Sequence, residues 1–191
     1  MQIVLASSNK HKVQEINDIV KSLNLPLEFI LPPEDFDPEE NGTTFEENSY
    51  IKAKAAWDIS KQWVLADDSG LCIDALDGKP GIYSARYAET PALRIERVLK
   101  ELNKIDNRKA HFSCAMTLLN PKGDIAFKTQ GICNGTIIEE TRGVNGFGYD
   151  PIFLVDGDTR TMAELSEEEK NQVSHRSVAL REVINYLKEI L

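Results

Sequence analysis

The sequence predicts an α/β protein whose β-sheet contains both parallel and antiparallel strands. Short apolar, β-branched runs alternate along the chain with segments in which apolar residues recur every three or four positions, as strands and amphipathic helices do. Residues 120–123 (NPKG) separate two apolar runs and predict a hairpin inside this alternation. Alternating elements favour parallel pairs and a hairpin requires an antiparallel one, so the strand directions are mixed.

The predicted elements follow from local patterns. Strands are short apolar runs, expected at residues 2–6, 27–31, 63–66, 71–74, 112–119, 124–133 and 151–155. The first helix follows a turn at residues 7–9, carries one apolar stripe and stops at Leu25-Pro26; the stripe is Val13, Ile16, Ile19, Val20 and Leu23.

Three further helices are expected. Thr44 and Glu47 have capping-box spacing, which opens a helix running to about residue 62. Pro91 marks the start of the third helix, whose apolar residues are Leu93, Val98, Leu99 and Leu102. The last helix spans residues 174–191, and its predicted inward residues are Val178, Leu180, Val183, Ile184, Leu187 and Ile190 or Leu191.

Composition limits the classes of function. The 191 residues are 41% hydrophobic, which fits a single domain over 1–191, and the longest apolar runs are too short to span a bilayer. The chain opens directly on a strand pattern, so no signal peptide is expected. Three cysteines without CxxC spacing argue against a disulfide framework or a zinc site and suit a cytoplasmic protein.

The net charge of −9 argues against general nucleic-acid binding, because lysines are scattered among acidic residues. An acidic protein can still bind a small polyanion through a metal ion and a few focused cations. The charge therefore points to a small-molecule substrate.

The segment at residues 7–12 joins the first strand to the first helix, where free helix N–H groups favour an anion. It offers hydroxyl, amide and cationic side chains, namely Ser7, Ser8, Asn9, Lys10, His11 and Lys12. A helix cap with solvent-exposed lysines is an equally good interpretation of this segment alone.

Carboxylates that suit Mg²⁺ occur near the predicted end of the third strand. Asp67 and Asp68 precede Ser69, and at most one of the two should face a site because neighbouring strand residues point to opposite faces. Glu40 in the acidic loop and Glu47 in the next helix are both further candidates. Lys52 lies four residues after Asn48 on the same helix face and could reach a phosphate.

Two later segments suit base recognition. Phe147 lies between glycines, so that its ring could stack on a base, and Asp150 could accept a base N–H. His175 and Arg176 lie at the start of the last helix, where the helix dipole disfavours cations, and this position is mildly indicative of a ligand.

Taken together, the motifs closely resemble the inosine triphosphate pyrophosphatase family, which removes non-standard purine nucleotides. The resemblance spans the whole chain and rests on SSNKHK, TFEENSYIKAKAA, ADDSGLCIDALDGKPGIYSARYA, NGFGYDPIF and AELSEEEKNQVSHRSVAL. One departure is Ser7-Ser8-Asn9, where the family commonly has Thr-Gly-Asn. Ser8 fits only if its backbone avoids a conformation reserved for glycine.

The resemblance implies a role for each matching residue. It makes the loop that ends at Lys12 the triphosphate loop, Lys52 the second phosphate lysine and Ser69 a substrate contact. It makes Asp68 both the proton acceptor and a magnesium ligand; Glu40 is carried over as the second ligand, with Glu47 competing. Base recognition falls to Phe147, Gly148, Tyr149, Asp150, Lys170, His175 and Arg176.

The expected activity is Mg²⁺-dependent hydrolysis of ITP, dITP and XTP to the nucleoside monophosphate and pyrophosphate. The resemblance also implies a homodimer, and we expect an elongated sheet flanked by helices, with a nucleotide cleft between two lobes. The main alternative is a pyrophosphatase of the Maf type acting on dTTP, UTP or modified pyrimidine nucleotides. A nucleotide sensor without catalysis is an alternative of another class.

Overall fold

In the computed structural model the described residues are 1–22, 26–33 and 36–190, and the side chains of Lys10, His11 and Ser22 lie outside that description. The chain clusters into two compact units. The first unit comprises Met1–Asp68, Cys114–Gly131 and Arg176–Leu191, and the second comprises Ser69–Ser113 and Ile132–His175. The expected single domain over residues 1–191 stays a prediction.

The strands among the described residues are β1 Gln2–Leu5, β2 Glu28–Ile30, β3 Trp63–Ile73, β4 Lys109–Leu119, β5 Ile125–Ile137 and β6 Phe153–Val155. These six strands form one mixed sheet, in the order β2-β1-β3-β4-β5-β6. β1 pairs in parallel with both β2 and β3, whereas β5 and β6 are antiparallel. The predicted α/β class with mixed strand directions is confirmed.

The helices described in the structure include four that the sequence predicts and one that it does not. They are α1 Lys10–Ser22, α2 Phe45–Ser60, α3 Pro91–Glu101, α4 Glu167–Val173 and α5 His175–Ile190. The unpredicted α4 begins with a reciprocal capping box between Ser166 and Glu169, and acidic residues fill its first turn, where the helix dipole favours them. No helix in the described ranges is both long and apolar enough to cross a membrane.

The predicted apolar stripe of α1 packs in the core of the first unit. Ile16, Ile19 and Val20 are buried there, with Val13 packed against them. Leu23 and Leu25, which complete the predicted stripe and its stop, fall outside the described residues. Because this stripe is buried, the core sets the orientation of α1 and therefore the position of Lys12 in its first turn.

The last helix packs against the same core through Leu180, Val183, Ile184 and Leu187. Ile190 is 44% exposed, and Leu191, the alternative inward residue, lies outside the described residues, so the inward position of one of the two stays a prediction.

The capping of α2 is half of the predicted reciprocal box. Thr44 Oγ1 accepts the backbone N–H of Glu47 at 3.1 Å. The Glu47 carboxylate accepts instead from Thr43, at 2.6 Å from its N–H and 2.8 Å from its hydroxyl. These bonds lower the pKa of Glu47, and the bond from the Thr43 backbone N–H has the largest effect. The Glu47 carboxylate is therefore engaged in capping the start of α2.

The prediction of two short strands around residues 67–70 is wrong. Trp63–Ile73 is one continuous strand of 11 residues, and Asp67 and Asp68 lie inside it rather than at a strand end. Adjacent polar residues do not end this strand because each aspartate has cationic partners. Asp74, expected in a strand, begins the 3₁₀ turn Asp74–Leu76, and Asp150–Ile152 forms another such turn that delays β6 to Phe153.

The second unit has a core of its own. Leu71 and Ile73 of β3 pack there with Val98 at the end of α3. Thr90 caps α3 by accepting the N–H of Leu93 at 3.2 Å, and Pro91 occupies the first turn as predicted. This core supports the segments that carry the second group of candidate site residues.

Candidate active site

A chain of four alternating charges lies within the first unit. Lys12 Nζ is 3.0 Å from Asp67 Oδ2, and the Arg176 guanidinium lies 3.4 Å from the same oxygen. On its other side, Arg176 Nη1 donates to Glu15 Oε2 at 2.5 Å. Arg176 is only 1% exposed, so its charge depends on these two carboxylates.

The cationic neighbours decide the ionisation of Asp67. Burial alone would raise the pKa of its carboxyl, but Lys12 and Arg176 outweigh burial and hold that pKa well below its usual range. Asp67 Oδ1 is buried without a hydrogen-bond partner among the residues that the structure describes. Asp67 is therefore a charged group that holds Lys12 and Arg176 in place.

The neighbouring residue, Asp68, belongs to a second ion cluster. Lys52 Nζ lies 3.1 Å from Asp68 Oδ1 and 3.1 Å from Glu40 Oε1. Burial raises the pKa of Asp68, and Lys52 counters that increase only in part. For Lys52, burial would lower the pKa, but Asp68 and the other carboxylates outweigh it and keep the ammonium charged.

Asn48 connects the parts of the structure that carry these carboxylates. Its Nδ2 donates to Asp68 Oδ2 at 3.2 Å, and its Oδ1 accepts the backbone N–H of Gly42 at 2.9 Å. A Cβ at position 42 would lie 2.7 Å from that same Oδ1, so the loop approaches α2 as closely as only glycine permits. Asn48, fully buried, thus holds the loop after Glu40 against the strand of Asp68.

The segment before α1 has the geometry of a helix start. Asn9 Oδ1 accepts the backbone N–H of Lys12 at 3.3 Å, and the Asn9 N–H donates to Ser7 Oγ at 3.2 Å. Ser8 is exposed, and its φ is not positive; the non-glycine residues with positive φ in the described part of the chain are Lys61, Asp77 and Lys104. Serine is therefore compatible with the backbone at position 8. The predicted contacts of Lys10 and His11 fall outside the described side chains.

The second unit contains a separate polar cluster. Lys170 Nζ lies 2.7 Å from Asp150 Oδ2 and 4.6 Å from the centre of the Phe147 ring. Asp150 also accepts the Phe147 backbone N–H at 2.9 Å. A Cβ on Gly146, whose φ is +71°, would collide with Asp150 Oδ2, so this turn depends on glycine.

The other residues of the second unit predicted to recognise the base have surroundings of their own. Tyr149 is buried and donates its hydroxyl hydrogen to the carbonyl oxygen of Ser84 at 2.9 Å. The His175 ring stacks on Phe112 at 4.9 Å between centroids, with 14° between the ring planes. Gly148 has a φ of +63° and open space where a Cβ would be.

The structure brings Lys12, Lys52, Glu40 and Asp68 into one unit, and Phe147, Asp150 and Lys170 into the other. Ser69 follows Asp68 in β3 and is half-buried. Arg176 belongs to the first unit, where it lies beside Asp67 and Glu15.

Glu15 is a residue that the sequence analysis missed. It is buried, and it lies three positions after Lys12 and four before the buried Ile19 on α1. A carboxylate on the apolar side of a helix, on the face of a predicted phosphate lysine, is the signal that could have revealed it.

These features define an α/β protein with buried lysine–carboxylate ion pairs and an aromatic ring flanked by glycines. Such a combination is typical of the class of nucleotide-binding proteins. The chain belongs to the Ham1 family, whose sequence pattern matches residues 3–186. The resemblance read from the motifs is therefore confirmed.

Individual relatives are similar over almost their full length. The chain is 46% identical over 189 residues to the dITP/XTP pyrophosphatase of Prochlorococcus marinus, covering 99% of this chain and 92% of that one. It is 45% identical over 195 residues to the dITP/XTP pyrophosphatase of Bacillus cereus, covering 98% and 95%. A HAM1 protein from Coxiella burnetii matches in structure with a TM-score of 0.90 at 42% identity, covering 99% of each chain.

Proposed function

We propose that this protein hydrolyses ITP, dITP and XTP between the α- and β-phosphates, releasing the nucleoside monophosphate and pyrophosphate. The observation that carries the proposal is the group formed by Asp68, Lys52 and Glu40, with Lys12 close enough to influence the ionisation of Asp68. Carboxylates beside ammonium groups, with Asp68 and Lys52 buried and Glu40 and Lys12 half-buried, suit a triphosphate held with a divalent cation. The names of the relatives support the same substrate class.

The carboxylate pair fits Mg²⁺. No group of three or more His, Cys, Asp or Glu side chains suited to a metal ion occurs in the described part of the chain. Mg²⁺ commonly takes only one or two carboxylates and completes its shell with water and substrate phosphates. Glu40 and Asp68 already converge on one cation, the Lys52 ammonium, whereas Glu47 is held by Thr43. Glu40 and Asp68 would therefore hold the ion, which supplies neutralisation of phosphate charge and polarisation of phosphorus.

The chain's own residues supply the remaining chemistry. Asp68 would orient the attacking water and accept its proton, a role helped by a raised pKa. Lys12 and Lys52 would stabilise the negative charge that develops on the leaving pyrophosphate. The loop of Ser7, Ser8 and Asn9, with Lys10 and His11 at the helix start, would bind phosphate oxygens, and Ser69 would add a substrate contact.

Base selection is assigned to the second cluster. The Phe147 ring would stack on the base, supported by the backbone of Gly148 and Tyr149, while Asp150 would accept a base N–H. Lys170, His175 and Arg176 would donate to the 6-keto oxygen of inosine and xanthine. The 6-amino group of adenine would leave those donors unpaired. For Arg176 this role requires it to exchange Glu15 or Asp67 for the base.

A substrate panel tests the proposal. Pyrophosphate release with Mg²⁺ is expected to be far faster on ITP, dITP and XTP than on ATP or GTP. Preference for dTTP or UTP would instead identify a Maf-type pyrophosphatase, and binding without hydrolysis would identify a nucleotide sensor. The homodimer and the cytoplasmic location belong to the same proposal, and sedimentation of the purified protein tests the first.

A further inference from the structure

The position of the Lys52 ammonium between two carboxylates indicates a second role besides binding a substrate phosphate. We propose that Lys52 is a stand-in cation: it holds Glu40 and Asp68 together in the nucleotide-free protein and leaves them when a divalent cation binds. The inference rests on the proposed function, because it concerns the same carboxylates. It adds an order of events, in which metal binding makes Lys52 available to phosphate.

The first support is geometric. Lys52 Nζ is equidistant from its two partners, at 3.1 Å from Glu40 Oε1 and 3.1 Å from Asp68 Oδ1. An ammonium group is a compact point charge with three donors on a flexible stem, and it binds such oxygens without the fixed geometry of a guanidinium. Two acidic oxygens from separate elements thus already converge on one positive charge.

The second support is the charge of the cluster. Among the contacting groups, Lys52 places one positive charge against the two negative charges of Glu40 and Asp68, while Lys12 acts on Asp68 without an ion-pair contact; Lys52 and Asp68 are both buried. A divalent cation at the same place would balance both carboxylates, and buried charge of one sign is costly when it is left unbalanced. The exchange is therefore favourable for the carboxylates, and the released ammonium gains a partner in the substrate's phosphates.

The third support is that the carboxylates do not depend on Lys52 for their position. Asn48 binds Asp68 Oδ2, the oxygen that Lys52 does not contact, and it also holds the N–H of Gly42. Asp68 and the loop that carries Glu40 therefore keep a fixed tether when Lys52 leaves. Asn48 acts as a positioning residue for the pair, and Lys52 is the exchangeable member.

Manganese binding to the nucleotide-free protein, followed by electron paramagnetic resonance, tests the inference. Lys52→Met removes the competing charge and keeps the length of the side chain, so Mn²⁺ is expected to bind about tenfold more tightly or better. The matched control is Lys54→Met on the same helix, because Lys54 pairs with Asp58 at the surface. The Mn²⁺ affinity of the Lys54→Met variant should equal that of the wild type. An unchanged or weaker affinity in Lys52→Met would overturn the proposal.

A second measurement uses the wild-type protein and does not depend on a variant folding correctly. Acylation of lysines, read by mass spectrometry, should be slow at Lys52 and should rise several-fold when Mn²⁺ is added, with Lys54 as the unchanged internal reference. Continued protection of Lys52 at saturating Mn²⁺ would refute the exchange. If the protein hydrolyses ITP but Mn²⁺ does not increase the acylation of Lys52, only the exchange is refuted. If Mn²⁺ increases the acylation but ITP is not hydrolysed, only the proposed function is refuted.

Discussion

Lys170 and Asp150 form a buried ion pair, with Lys170 Nζ 2.7 Å from Asp150 Oδ2. The same carboxylate oxygen accepts the backbone N–H of Phe147. Asp150 therefore fixes both a cation and the turn that presents the aromatic ring. If this cluster recognises the base, the geometry of the turn and the position of the cation cannot be changed independently.

The glycines on either side of Phe147 provide the first prediction. Gly146→Ala should destabilise the protein by about 2 kcal/mol or more and raise the KM for ITP, because a Cβ there is strained by its positive φ and also meets Asp150. Gly148→Ala is the matched control: its φ is similar, but its Cβ would have open space, so only roughly 1 kcal/mol of strain is expected. Urea unfolding and ITP kinetics measure both effects. Equal losses in the two variants would contradict the role given to Asp150.

Much of the fold could be predicted from the sequence because its signals are local. The stripe at Ile16, Ile19 and Val20 depends on periodicity, and the helix start at Pro91 depends on the preference of proline for the first turn; both predictions are confirmed. The break at residues 67–70 was predicted wrongly because two adjacent aspartates resemble a strand end. Their cationic partners, such as Lys12, are distant along the chain, and no local pattern reveals them.

The same reasoning explains the candidate site. Glu40, Asp68 and Lys52 were chosen as separate candidates, and only the folded chain shows that the Lys52 ammonium contacts both carboxylates. Glu15 was missed because a single carboxylate on a helix usually faces solvent. Its burial becomes understandable only once Arg176, 161 positions later in the chain, is seen to neutralise it.

The buried Glu15–Arg176 pair provides the second prediction. Arg176→Met should lower the free energy of unfolding by about 3–5 kcal/mol, because it leaves two buried carboxylates without their guanidinium. Adding Glu15→Gln to that variant should recover part of the loss, since one of the uncompensated charges is removed. Urea unfolding of the two single variants and the double variant gives the coupling energy.

The control for this cycle is the surface pair of Lys54 and Asp58, whose side chains are 39% and 52% exposed. Removing Lys54 should cost no more than about 1 kcal/mol. A loss of that small size in Arg176→Met would show that the guanidinium is not required to neutralise the buried acids.

Tyr87 provides a prediction about alkaline pH. Burial raises the pKa of its phenol to about 12, and the 2.5 Å hydrogen bond that it donates to Glu101 adds to the increase. The folded pKa lies above the unfolded value of about 10, so the neutral phenol contributes stability fully below pH 10. That contribution is lost as the pH rises from about 10 through about 12.

Ultraviolet titration of the phenolate measures the effect directly. Subtracting the curve of Tyr87→Phe from that of the wild type isolates one of the five tyrosines, and its midpoint should lie near 12. A difference curve centred near 10 would mean that Tyr87 is neither buried nor bonded to Glu101 in solution.

Asp68→Asn separates the catalytic role of this residue from its structural one. The amide keeps the shape of the side chain and can still accept the Asn48 hydrogen bond, but it cannot take a proton from water. Turnover of ITP should fall by about 10²–10⁴-fold, the usual contribution of a general base, while the unfolding transition stays cooperative. Asp58→Asn on the surface of α2 makes the same chemical change away from the cluster and should leave turnover unchanged. Near-normal turnover by Asp68→Asn with Mn²⁺ still bound would assign the proton transfer to another group.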